Sequence, residues 1–303
     1  MGTTIRIGTR ESQLATWQAA QVQNMLAANA VESELVLIKS EGDIDLKTPL
    51  YEIGVQGIFT RSLDIALLNN QIDLAVHSMK DVPTQLPGGI VQAAVLKRGS
   101  HKDLLVYKGD WPTMSDQSLL IATSSIRRKA QWLHRYPHHR ITTLRGNVNT
   151  RLKKLADSDW NGAIFAAAGL ERIGLRPDSS VELDWMLPAP AQGAIMIVCR
   201  ENDPYILEVC SSLHDEATGV CTKQERDFLR ALLGGCSTPI SALATLQDNK
   251  VNFRGNILSP DGKEKFDVEI SRAFNSAASI GMDAATEILK KGALQLTESL
   301  RDA

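Results

Sequence analysis

The chain has 303 residues, 43% hydrophobic and 22% charged, with 33 Lys and Arg against 35 Asp and Glu and a formal net charge of -2. That length exceeds one ordinary core and predicts two or three domains, and the composition is that of a globular protein. The near-balance of charge excludes a global field for nucleic acid or an anionic membrane, so any basic site must be local.

No apolar run approaches the roughly 18 residues of a membrane span. The opening MGTTIRIGTR lacks the apolar stretch of a secretory leader. The four cysteines, Cys199, Cys210, Cys221 and Cys236, form no C-x-x-C pair. They suit neither a disulfide framework nor a metal site, and a reducing, cytoplasmic setting is expected.

Thr4 to Gly8 alternates as a strand, and Leu14, Trp17, Ala20, Val22 and Met25 recur with helical spacing to about Ala28, with Ser12 as the cap. Arg10 and Ser12 therefore stand at a helix N-terminus, where free N–H groups favour anions. Glu34 to Lys39 is a second strand. Residues 40–56 are polar, contain Gly42, Pro49 and Gly54, and show no period, as expected of a lid or binding loop. A helix is predicted from Gly57 to Asn70, with Phe59 at its start.

The segment Ala75 to Pro83 is the focus of the first half. An apolar run ends there in His77, Lys80 and Asp81, and Pro83 stops any further ladder. Ligands of open α/β sheets bind outside the carboxyl ends of strands. Lys80 there offers a cation to an anionic group, and Asp81 a carboxylate to N–H donors or a passing cation. Ile90 to Leu96 is the next strand, and residues 97–102 read as a crossing into a second domain that opens with the strand Asp103 to Tyr107.

Residues 121–156 hold nine Lys and Arg and no Asp or Glu. ATSSIRR, carrying Ser125, Arg127 and Arg128, reads as strand end, hydroxyl turn and helix start. LRGNVNTR, carrying Arg145 and Arg151, repeats that grammar one unit later. Two adjacent helix N-termini bearing arginines make an anion site, with bidentate donors for carboxylate or phosphate. Nucleic acid is the rival anion, but only Trp132 and Tyr136 interleave here and no binding motif accompanies them. Lys153 and Lys154 read as solvated.

Gly162 to Arg172 is a buried strand and a small-residue turn that delivers Arg172. Leu187 to Gly193, containing Gln192, is a rigid crossover. Ala194 to Cys199 is an apolar strand that returns to the first sheet. Two α/β lobes resembling periplasmic binding proteins, with a central cleft, are expected at 1–98 with 194–213 and at 102–189. From about residue 216 a helix (Thr222 to Leu233), three alternating segments and a final helix from Ala277 to Lys291 predict a small C-terminal α+β domain with an antiparallel three-stranded sheet. Cys236, in a Gly-Gly-Cys-Ser-Thr-Pro loop, is the cysteine placed for covalent chemistry; Cys199 lies in an apolar strand and is structural.

IGTRESQLA, DLAVHSMKDVP, ATSSIRR, LRGNVNTR, AAAGLERIGL, AQGAI and LLGGCSTPI together resemble the porphobilinogen deaminase (hydroxymethylbilane synthase) family, in order and spacing over nearly the whole chain. The resemblance implies a cytoplasmic, monomeric transferase of porphyrin and haem biosynthesis that joins four porphobilinogen molecules head to tail with loss of ammonia. It also implies a dipyrromethane cofactor tethered as a thioether to Cys236 in the third domain, 216–303. Asp81 matches the catalytic carboxylate. Lys80, Ser125, Arg127, Arg128 and Arg151 match cofactor ligands, and Arg10, Ser12, Phe59, Arg145, Arg172 and Gln192 match substrate ligands. No metal, nucleic acid, membrane or protein partner is implied. The chain departs from the family pattern at Gln56, at Ser237-Thr238 and at Pro190-Ala191, where Val-Gly is usual. A binding module for a small polycarboxylate is the competing reading; it needs the arginines but neither Cys236 nor Asp81. A cysteine hydrolase is poorer, because no histidine segment pairs with the Cys236 loop.

Overall fold

The structure is a computed structural model that describes residues 4–39, 60–109, 111, 117–232 and 238–301. Its contacts divide these residues into two units. Of the described residues, the first gathers three separated stretches, 4–39, 60–99 and 193–219; the second holds those within 100–192 and 220–301.

The first unit carries a mixed sheet with strand order β2-β1-β3-β10-β4. β1 (Ile5–Arg10) pairs in parallel with β2 (Ser33–Ile38) and β3 (Leu74–Ser78). β10 (Ile195–Arg200) returns to this sheet, as expected, and lies antiparallel between β3 and β4 (Ile90–Val95). α1 (Gln13–Ala28) and α2 (Arg61–Leu68) pack on this sheet. Ile7, Val22, Leu26, Leu74 and Ile197 are wholly buried. Each such aliphatic side chain contributes roughly 1.5–3 kcal/mol relative to exposure. Helix α6 (Pro204–Ser211) is missed by periodicity, yet Asp203-Pro204 is its start signal: Asp203 Oδ1 accepts from Ile206 N at 3.2 Å.

The second unit carries a mixed sheet with strand order β7-β6-β8-β5-β9. Its strands are β5 (Asp103–Tyr107), β6 (Leu120–Ala122), β7 (Arg140–Thr142), β8 (Gly162–Ala166) and β9 (Ser180–Glu182). Leu104 and Val106 belong to one apolar cluster and Leu105 to another. Both faces are therefore covered, which is why β5 reads as an unbroken apolar run. Trp132, one of the two aromatics on the basic stretch, is a core residue. It is wholly buried, its Nε1 donates to His139 Nδ1 at 3.1 Å, and Tyr136 packs 5.0 Å from it. The small-residue turn after β8 is a short helix, α5 (Ala167–Glu171).

The same unit includes an antiparallel sheet of β11 (Ile240–Gln247), β12 (Lys250–Leu258) and β13 (Lys265–Ala273). It packs on α7 (Glu216–Ala231) and α8 (Ile280–Ile288) through Phe228, Phe253, Ile257 and Ile288. A Cβ on Gly281 would lie 2.1 Å from the Gln224 carbonyl oxygen, so only glycine allows this helix contact. The final helix does not run straight to Lys291. A 3-10 turn (Phe274–Ser279) precedes α8, and a π-type turn (Leu289–Ala293) with Gly292 at φ 113° separates it from α9 (Leu294–Arg301).

Ala191 shows how one departure from the family pattern is accommodated. It takes φ 61°, the left-handed region that a glycine would enter freely. The wholly buried Glu225 fixes the turn: its Oε2 accepts from Ala191 N at 2.6 Å and its Oε1 from Ala244 N at 2.7 Å.

Candidate functional site

In the first unit the predicted residues collect at the carboxyl ends of β1 and β3. Gly8 is level with Ala75, so Arg10 closes β1 at the height of His77 in β3. Ser12 caps α1, its Oγ accepting from Ala15 N at 3.4 Å. β3 passes straight into a 3-10 turn, Met79–Asp81, which carries Lys80 and Asp81 half-buried. Two ties fix that turn. Met79 N donates to Ala194 O at 3.0 Å, and Gln18 Nε2 of α1 donates to Ser78 Oγ at 2.9 Å.

His77 is 6% exposed, and its Nε2 has no hydrogen-bond partner among the described residues. Burial, helped by the charge of Arg10, pushes it down to about 3, so it is neutral at pH 7. The unfolded chain titrates near 6.5. As pH falls from there toward 3, the unfolded chain takes up a proton that the folded one refuses, and stability is lost with acid. His77→Gln is expected to remove about 2 kcal/mol of the stability change between pH 7 and 5, read from urea unfolding at the two pH values. An unchanged pH dependence would show that His77 does not cause it.

In the second unit three parallel strands, in the order β7-β6-β8, each end in an arginine-bearing turn. After β6, Ser125 caps α3 (Ile126–Arg135), and Arg127 and Arg128 lie in its first turn. After β7, Asn147 caps α4 (Val148–Asp157), Oδ1 accepting from Thr150 N at 2.9 Å. The two turns are joined: Thr123 N donates to Thr142 O and Leu144 N to Ser124 Oγ, both at 2.8 Å. Arg145 in the second turn is 6% exposed. Arg151 Nε donates to Gly146 O at 2.7 Å, and Gly146 takes φ 112°. Lys154 is not merely solvated, because its Nζ donates to Arg145 O at 3.1 Å. Arg172 follows β8 and α5; burial lowers its guanidinium to about 10, with Glu171 opposing.

Asp103 is the residue that sequence reading missed. It is wholly buried at the start of β5, and Arg127, Arg128 and Gln192 converge on it. Burial raises its pKa, but the two guanidiniums outweigh burial and hold the carboxyl well below the usual range. A charged residue opening the apolar run Leu104 to Tyr107 is the signal that marks it. Phe59 and Cys236, the 40–57 loop and Gln56 lie outside the described residues. Cys199, Cys210 and Cys221 are buried free thiols, the first two pushed by burial to about 11 and about 12.

A ligand bearing several carboxylates fits the second unit's turns. Buried arginines require anionic partners, and Arg127, 4% exposed, keeps an Nε with no hydrogen-bond partner among the described residues. No group of His, Cys, Asp and Glu among the described residues is arranged to hold a metal ion. No helix among them is long and apolar enough to cross a membrane.

Residues 5–208 match the family model "Porphobilinogen deaminase, dipyromethane cofactor binding domain", and residues 220–290 match "Porphobilinogen deaminase, C-terminal domain". The chain is 40% identical over 301 residues to a porphobilinogen deaminase of Syntrophotalea carbinolica, covering 98% of this chain and 96% of that protein. It is 39% identical over 315 residues to a chloroplastic one of Oryza sativa subsp. japonica, covering 98% and 86%. Among solved structures, a periplasmic substrate-binding protein of an ABC transporter from Coxiella burnetii aligns with TM-score 0.44 and 15% identity over 74% of this chain and 97% of that one. Two family models spanning both halves of the sequence, and relatives this similar along nearly all of it, make the chain a member of the porphobilinogen deaminase family.

Proposed function

We infer that the first unit of this chain supplies the catalytic carboxylate of the family reaction, with a few ligand contacts, and that the second supplies most of the guanidiniums that capture carboxylates. The reaction is the head-to-tail condensation of four porphobilinogen molecules into hydroxymethylbilane with release of ammonia, in tetrapyrrole biosynthesis. The observation that carries the division is the segregation of groups. The Asp81 turn lies in one unit, and the arginine-bearing turns after β6, β7 and β8 lie in the other.

Each porphobilinogen carries an acetate and a propionate, so a growing chain of them needs many guanidiniums at fixed positions. Arg127, Arg145, Arg151 and Arg172 with Ser125 are our candidates, backed by helix N-terminal N–H groups. Dipyrromethane, when bound, supplies the first nucleophilic pyrrole carbon; we assign its tether to Cys236 and its seating to Lys80, Ser125, Arg127, Arg128 and Arg151. Loss of ammonia from the substrate leaves an electron-poor cation. Asp81, in the turn held by the Met79 and Ser78 ties, is our candidate to stabilise that charge and to accept pyrrole protons. Arg10, Ser12 and Gln192 are assigned to substrate, and Phe59 to stacking on a ring. We place the enzyme in the cytoplasm, where its free thiols stay reduced. The reading needs no nucleic acid, membrane or protein partner.

Purified protein given porphobilinogen is expected to release four ammonia molecules per linear tetrapyrrole formed. A polycarboxylate-binding module would retain the pyrrole and release none, and that result would sink the reading.

A further inference from the structure

Three stretches far apart in sequence meet at one buried amide. Gln131, in the second half of α3, is 4% exposed. Its Nε2 donates to Leu187 O of the crossover and to Ser241 Oγ of β11, both at 3.0 Å, and its Oε1 accepts from Leu187 N at 2.9 Å. Both Nε2 hydrogens are thus used, one on each neighbour, and the amide pairs with the Leu187 backbone in both directions. Ser241 is wholly buried, and beside it Ala242 N donates to Pro188 O at 3.2 Å. A second fastening lies further along α3. His134 Nδ1 donates to Gly262 O at 2.7 Å, and a Cβ on Gly262 would lie 2.6 Å from Ala130 O and His134 N. All of these residues belong to the second unit. A buried amide costs free energy unless it is satisfied, whereas an apolar side chain of that size fills the space without the demand. What the amide adds is direction. It fixes the register between α3, the crossover that carries Gln192, and β11, whose Ser241 stands five residues after Cys236.

We propose that Gln131 is a positioning residue for the covalent tether: it fastens the start of β11 to α3 and the crossover, and so holds the attacking end of the tethered chain in line for condensation. The proposal rests on the assignment of the tether to Cys236 in the function inferred above. Gln131 spends its amide on the protein and acts on the reaction only through Ser241 and β11. The arginine-bearing turns keep their own ties, Thr123 N to Thr142 O and Leu144 N to Ser124 Oγ, when that amide is lost. Capture of incoming porphobilinogen is therefore preserved, while the alignment of the attacking carbon is not. A misplacement of about 1 Å can cost roughly 100-fold in rate.

The test is steady-state turnover of porphobilinogen expressed per cofactor-bearing molecule, counted by intact mass, with each variant held well below its own melting temperature. Gln131→Met, which keeps the volume and loses the amide, is expected to lower kcat about tenfold and to leave KM within about twofold. Ser241→Ala, which removes only the β11 end of the clasp, is expected to lower kcat at least about threefold with a melting temperature close to wild type. The double variant should be no slower than Gln131→Met alone, since two ends of one path are not additive. A glutamine that only stabilised the fold would lower the melting temperature and the yield of cofactor-bearing protein, but not the rate per such molecule. Wild-type kcat per cofactor-bearing molecule in either folded variant, a KM that rises in step as kcat falls, or additive losses in the double variant would overturn the proposal. If Gln131→Met does not fold, Ser241→Ala decides, and a kcat above about one third of wild type overturns it. A wild-type chain that carries no added mass would count against the tether assignment itself, whereas variants that load and turn over as wild type does count against this inference only.

Discussion

Cys236→Ser is expected to carry no added mass and to lose at least about a thousandfold in turnover. The wild-type chain, denatured and weighed intact, should exceed its sequence mass by two linked pyrrole units, and peptide mapping should place them on the segment containing Cys236. The argument is one of chemical type. A thioether requires a thiolate nucleophile, and a serine hydroxyl, hardly ionised at neutral pH, is far weaker. The other thiols are poor substitutes, because burial holds Cys199 at about 11 and Cys210 at about 12, and Cys221 is buried as well. With limited porphobilinogen, wild type should show discrete increments of one pyrrole unit, none of which appear in the variant. An unmodified Cys236 in protein that still consumes porphobilinogen would end the tether assignment.

Asp81→Asn should fold, keep the added mass and lose roughly 100- to 1,000-fold in turnover, the usual cost of removing one preorganised group that stabilises transition-state charge. Its turn explains why folding survives. The backbone of Met79 and the side chain of Ser78 hold the segment, through Ala194 O and Gln18, and neither tie uses the carboxylate. Asparagine keeps the shape and a hydrogen-bond acceptor but not the charge, so the loss measures electrostatics rather than packing. Asp81→Glu, which restores the charge one methylene out of place, should recover part of the rate. Activity of the asparagine variant within a few-fold of wild type at neutral pH would exclude a charged carboxylate as the catalytic group.

Much of this architecture was legible because it depends on local patterns. The Ser12 cap, the apolar runs of β3, β5 and β10, and the repeated strand–hydroxyl–arginine grammar at Ser125 and Arg145 follow from periodicity and capping, which act over a few residues. The placement of Arg10, Lys80 and Asp81 at strand ends follows too, because a parallel strand and the helix after it fix where the chain emerges.

What tertiary structure alone decided is which of several similar residues turns inward. Arg127 and Arg128 differ by one helix position, about 100° of rotation, and only the approach of Asp103 from β5 and of Ile164 from β8 spends one of them and leaves the other with an unused donor. The neutral state of His77 likewise depends on burial and on Arg10 arriving from β1, which no local pattern records. The left-handed Ala191 is held by Glu225, 34 residues further on. Sequence determines what each segment offers, through interactions within a few residues. Burial and charge pairing depend on residues brought together from distant segments, so they are settled only when the chain has packed.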